Sequence, residues 1–222
     1  MGTHIDLTAQ DGFTLGAYRA EPSGKPRGAL VVLQEIFGVN RHIRNVCDRF
    51  AAQGYVAIAP ALFDRVETNF ESGYSPDEVT HARTFLTRID WDKMLLDTKA
   101  AIDAVTSVGK VAIVGYCMGG SIAFLAATKF DELSAAVGYY GGRIAANADK
   151  TPKAPTQLHF GDQDQSIPLS DVAIVRDKRP DCDIHVYHAG HGFGCDDRAA
   201  YDAESAKLAL ERTLAWFGKY VG

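Results

Sequence analysis

Cys117 lies at the centre of the stretch with the clearest chemical potential, Gly115-Tyr-Cys-Met-Gly-Gly120. It follows an apolar run, Lys110-Val-Ala-Ile-Val114, and precedes Ser121-Ile-Ala-Phe-Leu-Ala-Ala127, a good helix. Strand, sharp turn and helix form the context in which G-x-S-x-G presents a nucleophile, here with cysteine in the serine position. A nucleophile on so sharp a turn adopts a strained backbone and brings the residues two positions away into contact. Only small residues fit there, hence Gly115 and Gly119. The helix start places the Met118 N–H to receive a developing oxyanion and favours negative charge on the thiolate. The bland reading is a glycine-rich turn holding a buried, inert cysteine, and the flanking strand and helix weigh against it. A phosphate loop is disfavoured, since neither a Walker Lys-Ser/Thr nor G-x-G-x-x-G is present.

A thiol nucleophile needs a base, and the base needs an orienting group. In folds built round such an elbow the acid and then the histidine follow along the chain, on loops at the carboxyl ends of strands. Phe160-Gly-Asp-Gln-Asp-Gln-Ser-Ile-Pro168 offers Asp162 and Asp164. Either could be turn chemistry alone. Asp164 is preferred because it lies later in the turn, where a carboxylate can reach the histidine. The last predicted strand, Asp183–His188, runs into Ala189-Gly-His-Gly-Phe193. His191, between two glycines, occupies the triad position, with His188 as runner-up at the strand end. His185, His188 and His191 are spaced by three, but strand residues three apart point to opposite faces. They should not converge on zinc, and no metal is expected.

The elements around these residues alternate. Thr3–Thr8 and Phe13–Arg19 flank an Asp-Gly hairpin signal. Ala29–Leu33, Tyr55–Ala59, Val111–Val114, Ala135–Tyr139, Thr156–Phe160 and Ile184–Tyr187 read as strands, most of them apolar on both faces as in parallel sheets covered by helices. Arg41–Gln53 reads as a helix capped by Asn40. Ser75-Pro-Asp-Glu78 has the form of a capping box, and Asp90 caps a helix with Trp91, Met94, Leu95, Thr98, Ala101, Ile102 and Val105 on one face. Ala203, Ala206, Leu210, Leu214 and Phe217 form the predicted stripe of a closing helix. The pattern predicts a single domain over 1–222, a mostly parallel α/β sandwich with helices on both faces.

The bulk properties exclude more than they assign. The chain has 222 residues and a formal net charge of −5, which gives no basic field for nucleic acid or acidic membranes. The start lacks a signal peptide's charge and apolar core, and no apolar run is long enough to span a bilayer. Four cysteines without a C-x-x-C pair suggest reduced thiols in a cytoplasmic protein, with Cys47, Cys182 and Cys195 as bystanders. A monomer is the default expectation, with Trp216 and Phe217 read as core.

Over nearly its whole length the chain resembles the dienelactone hydrolase family (carboxymethylenebutenolidases) of α/β-hydrolases. The resemblance rests on Gln34-Glu-Ile-Phe-Gly-Val-Asn40, Gly54-Tyr-Val-Ala-Ile-Ala-Pro60, the Cys117 elbow, Val137-Gly-Tyr-Tyr-Gly141, Gly161–Pro168 and Gly190-His-Gly-Phe193. It implies a cofactor-free hydrolase that opens a lactone or ester through Cys117, His191 and Asp164. It also implies Glu35 as the carboxylate that activates the thiol, and the backbone N–H groups of Ile36 and Met118 as oxyanion donors. A carboxylate beside the thiol would disfavour a free thiolate and protect it from oxidation until substrate binds. The pocket positions it implies are Phe63, Val79, Arg83, Tyr139, Phe193 and Cys195. Here the sequence departs from the family, because the two arginines that grip the substrate carboxylate align with Val79 and Cys195, and a pocket tyrosine with Phe63. Arg65, Arg83 and Arg198 are the nearby substitutes. The expected substrate is a small ester or lactone that is neutral or differently charged. The alternatives are a general carboxylesterase or thioesterase on the same scaffold, or a non-catalytic thiol protein that senses redox state or binds a ligand.

Overall fold

The structure, a computed structural model, describes residues 2–222. The chain divides into two compact units, residues 1–111 and 112–222, each built of strands alternating with helices.

In the first unit, β1 (Thr3–Thr8) and β2 (Thr14–Ala20) form the expected hairpin, in register from Thr3 opposite Arg19 to Thr8 opposite Thr14. Gly12 supplies the positive φ of the turn, at 84°. β2 continues antiparallel onto β4 (Tyr55–Pro60), which runs parallel to β3 (Gly28–Leu33). All residues of β3 and β4 are buried, which accounts for their lack of apolar–polar alternation. α1 (Arg41–Ala52) starts where Asn40 accepts the amide of Ile43. α2 (Pro76–Phe85) carries the reciprocal Ser75–Glu78 capping box, and α3 (Trp91–Asp103) is capped by Asp90.

The second unit orders its strands β5 (Val111–Tyr116), β6 (Leu133–Tyr139), β7 (Thr156–Gly161) and β8 (Asp183–Tyr187). The last three are parallel, so their carboxyl ends lie on one edge. α4 (Met118–Lys129) is buried on nearly every side, in keeping with its lack of a polar face. α5 (Leu169–Lys178) buries only Val172 and Val175.

α6 (Ala203–Tyr220) corrects the predicted stripe. Its buried face is Ser205, Ala209, Thr213 and Phe217, whereas Ala203 and Leu210 are exposed. The buried threonine decides the phase. Thr213 Oγ1 lies 2.7 Å from the Tyr139 hydroxyl and 3.2 Å from His159 Nε2, so this side of the helix closes a polar network that a count of apolar residues misses. No helix among the described residues is long and apolar enough to cross a membrane.

Candidate active site

The turn between β5 and α4 holds Cys117 at φ 54°, ψ −114°, a conformation that costs about 1–3 kcal/mol for a residue with a side chain. Its neighbours leave no room to relax. A Cβ at Gly115 would overlap the Gly119 carbonyl, and one at Gly120 would overlap the Tyr139 carbonyl. The Cys117 amide donates to that same Tyr139 carbonyl at 3.0 Å. Met118 opens α4, and first-turn amides have no acceptor within their own helix.

The loops that leave β7 and β8 bring two further side chains to the thiol. His191 Nε2 lies 3.1 Å from Cys117 Sγ, and Nδ1 lies 2.7 Å from Asp164 Oδ2. The other oxygen of Asp164, Oδ1, accepts the amides of Ser166 at 2.8 Å and Ile167 at 3.1 Å, so the carboxylate is held before it meets the imidazole. The two loops are sewn together by backbone bonds from Asp162 N to Tyr187 O and from Gln163 N to Ala189 O. A Cβ at Gly161 would strike the Ala189 carbonyl, which makes a glycine necessary at this crossing.

The electrostatics follow from these contacts. Burial disfavours the His191 imidazolium, but hydrogen bonds to Asp164 and Cys117 outweigh it and push the group up to about 10. Cys182, by contrast, is a thiol that burial pushes up to about 12, and burial raises Cys47 further. Both are poor nucleophiles at neutral pH. Among the described residues, none of the four cysteines is in a disulfide.

Asp162 pairs with His188, 3.1 Å away, which also meets Gln163 Nε2 at 2.8 Å. The His188 side chain is 82% exposed. His185 lies on β8 beside His159 and bonds to Asp183 at 3.0 Å. The three histidines spaced by three thus take three different aspartates.

The remaining predicted residues are distributed as follows. Glu35 and Ile36 are buried in the turn after β3, where Gln34 Oε1 accepts the Leu62 amide at 3.1 Å and fixes the loop. Phe63 is buried against Phe85 and Phe70, with ring centroids at 5.0 and 5.8 Å, and belongs to an aromatic cluster. Val79 is half-buried and Arg83 exposed on α2. Arg65 is engaged by two aspartates. It bonds through Nε and Nη2 to the buried Asp97 at 2.8 Å each, and to Asp11 at 2.9–3.0 Å. It is a structural cation. Cys195 is buried, and the Arg198 guanidinium packs on Gly192, directly after His191.

Tyr139 and Phe193 are both buried. The Tyr139 ring lies tilted beside His159 at 4.4 Å and its hydroxyl bonds to Thr213, and Phe193 is fully buried against Tyr140 and Tyr187. Both are packing residues beneath the His191 loop. The residue that sequence reasoning missed is the next one, Tyr140, whose ring faces His191 at 5.1 Å. Its signal was an aromatic residue set directly before Gly141-Gly142 at the end of a strand.

Comparison with known proteins agrees with this architecture. The dienelactone hydrolase family profile matches residues 15–221. A carboxymethylenebutenolidase of Pseudomonas putida is 34% identical over 95% of this chain and 93% of its own length. A candidate dienelactone hydrolase from Klebsiella pneumoniae has a crystal structure that superposes with a TM-score of 0.86 at 31% identity, covering 99% of this chain and 100% of that one. An esterase from Pyrococcus furiosus shares the fold at 14% identity and a TM-score of 0.73. The α/β-hydrolase fold expected from the sequence is the fold of this chain.

Proposed function

The chain belongs to the dienelactone hydrolase family and is thus a hydrolase of lactone or ester type, and from that premise we propose that it works by covalent catalysis through Cys117, His191 and Asp164. The observation that carries the proposal is the unbroken line from Sγ to Nε2 at 3.1 Å and from Nδ1 to Oδ2 at 2.7 Å. Both spacings lie within reach of proton transfer.

In the proposed cycle the proton shared by Cys117 and His191 rests on Nε2, as the raised His191 requires, and Sγ attacks the ester carbonyl. The tetrahedral oxyanion is taken by the Met118 amide, to which the family resemblance adds that of Ile36. Collapse breaks the C–O bond, the imidazolium returns its proton to the leaving alkoxide or enolate, and a thioester remains. Neutral His191 then draws a proton from water, the resulting hydroxide adds to the thioester, and Sγ departs with the acid product released. Asp164 holds the imidazole tautomer and orientation throughout. Glu35 is assigned a part in activating the thiol by resemblance, and Glu35→Gln tests it through the rate of acylation alone. A neutral small ester or lactone is the proposed substrate, because Val79 and Cys195 carry no charge and Arg65 is engaged by Asp11 and Asp97.

The test is hydrolysis of p-nitrophenyl acetate beside dienelactone by wild type and Cys117→Ala. The variant should lose at least about 1,000-fold in kcat, and mass spectrometry of a quenched wild-type reaction should find an acyl group on Cys117. A Cys117→Ala enzyme near the wild-type rate would sink the mechanism. Faster turnover of dienelactone than of the neutral ester would discard the neutral substrate class and make Arg198 the cation to mutate next.

A further inference from the structure

Among the described residues, three non-glycine residues have positive φ: Asn69 at 59°, Cys117 at 54° and Tyr140 at 37°. Asparagine tolerates this region, and Cys117 is placed there by the elbow. A bulky aromatic residue has no such tolerance, and two glycines that could have taken the turn cheaply follow it. A strained residue of this kind persists only where its surroundings over-determine it, and such residues gather at functional sites.

The surroundings of Tyr140 join the nucleophile to its base. Tyr140 is fully buried, and its amide donates to the His159 carbonyl at 2.7 Å. Its ring lies 5.1 Å from the His191 imidazole at 58° and stands edge-on to Phe193 at 5.4 Å. One residue earlier, the Tyr139 carbonyl accepts the Cys117 amide at 3.0 Å. The turn has no slack, because a Cβ at Gly141 would press on the Ser121 amide and the Gly120 main chain at the head of α4. The end of β6 therefore touches both reacting residues, the main chain of one and the ring of the other.

We infer that Tyr140 is a positioning residue whose ring holds the His191 imidazole in line between Cys117 and Asp164. The inference rests on the triad reading above. His191 is flanked by Gly190 and Gly192, the latter at φ 85°, so its own chain neighbours offer no side chains to brace it. Rotation about Cβ–Cγ would break both hydrogen bonds of the imidazole, and the Tyr140 ring, 5.1 Å away, adds a steric wall against that rotation. The left-handed turn at 140 is what aims the ring at His191.

The experiment compares Tyr140→Leu, which keeps apolar bulk but loses the flat face, with Tyr140→Phe, which keeps the face. Acylation by p-nitrophenyl acetate should fall ~10- to 100-fold in Tyr140→Leu, the scale expected for a misplaced catalytic group, with KM within about threefold. Tyr140→Phe should restore the rate to within about threefold of wild type. The low-field NMR signal of the His191 Nδ1–H, bonded to Asp164, should broaden in the leucine variant and return in the phenylalanine one. Tyr140→Met serves the same comparison if thermal melting finds Tyr140→Leu poorly folded. A wild-type acylation rate and an unchanged His191 signal in a folded Tyr140→Leu or Tyr140→Met protein would overturn the inference. Cys117→Ala in the same assay keeps the two readings apart. Retained activity there breaks the triad itself, whereas an inactive Cys117→Ala beside a fully active Tyr140→Leu breaks only the positioning role.

Discussion

Two histidine–aspartate pairs stand on the same two loops, two residues apart on one side and three on the other. Asp164 and His191 are 2.7 Å apart, and Asp162 and His188 are 3.1 Å apart. The residue types are identical and the spacings nearly so. What separates them is position. The Asp164 carboxylate is 1% exposed and the His191 side chain 20%, against 34% and 82% for the other pair. The inner imidazole also has a third partner, the thiol, on its far nitrogen. On the proposed reading, a His–Asp pair serves catalysis when water is kept from it and its second nitrogen meets a nucleophile. Without those conditions it is an exposed hydrogen-bonded pair of little energetic weight.

The largest effect that tests this contrast is Asp164→Asn. An amide in that place can present the wrong face to Nδ1 and select the wrong tautomer, so kcat should fall by ~10²–10⁴-fold while the protein stays folded. Steady-state kinetics with a neutral ester measures it. A loss under about threefold would mean that the inner pair is no more than its outer neighbour.

A third pair sharpens the comparison, because it is sheltered without being near a nucleophile of its own. Arg65 holds Asp97, whose carboxyl burial pushes up and the guanidinium draws back down. Arg65→Met leaves that buried carboxylate unpaired and should cost about 3 kcal/mol of stability, read as a lower midpoint in urea, with kcat unchanged. Lost activity in a fully stable variant would return Arg65 to the substrate.

The inner pair also has a signature in pH. His191 is raised from its ordinary range to about 10, so in the folded protein it holds a proton that the unfolded chain releases near pH 6.5. Its contribution to stability is therefore fully present below about pH 6.5 and is lost as pH rises through about 10. On the order of a few kcal/mol is at stake. Thermal melting from pH 6 to 10.5 should show a fall in Tm that is smaller in Asp164→Asn, and equal slopes in the two proteins would count against the inner pair.

How much of this could be read from the chain differs by residue. The elbow was legible because Gly115 is required by contact, and the capped helices because Asn40, Ser75 and Asp90 sit at fixed offsets from the amides they accept. The choice between Asp162 and Asp164 depended on where two loops cross, which is set by backbone bonds to Tyr187 and Ala189 that no local pattern carries. The phase of α6 was missed because Thr213 faces inward for its hydrogen bonds while Leu208 and Leu210 stay exposed. Tyr140 was passed over for a related reason. A strand that ends in a left-handed turn at Tyr140 does not continue its alternation, so the residue beside His191 is the one after the strand.

The smallest expected effect is the most exacting for the comparison. His188→Gln removes the outer imidazole, keeps a polar side chain and leaves Asp162 exposed enough to be solvated. If burial and the thiol make the difference between the pairs, kcat and KM should stay within about twofold of wild type and Tm should barely move. The loops themselves are held by the main-chain bonds from Asp162 and Gln163, which this substitution leaves in place. A tenfold loss in kcat would mean that the outer pair sets the height of the His191 loop and so shares in positioning the inner one. Steady-state kinetics on this one variant, beside Asp162→Asn, separates a solvated surface pair from a second brace.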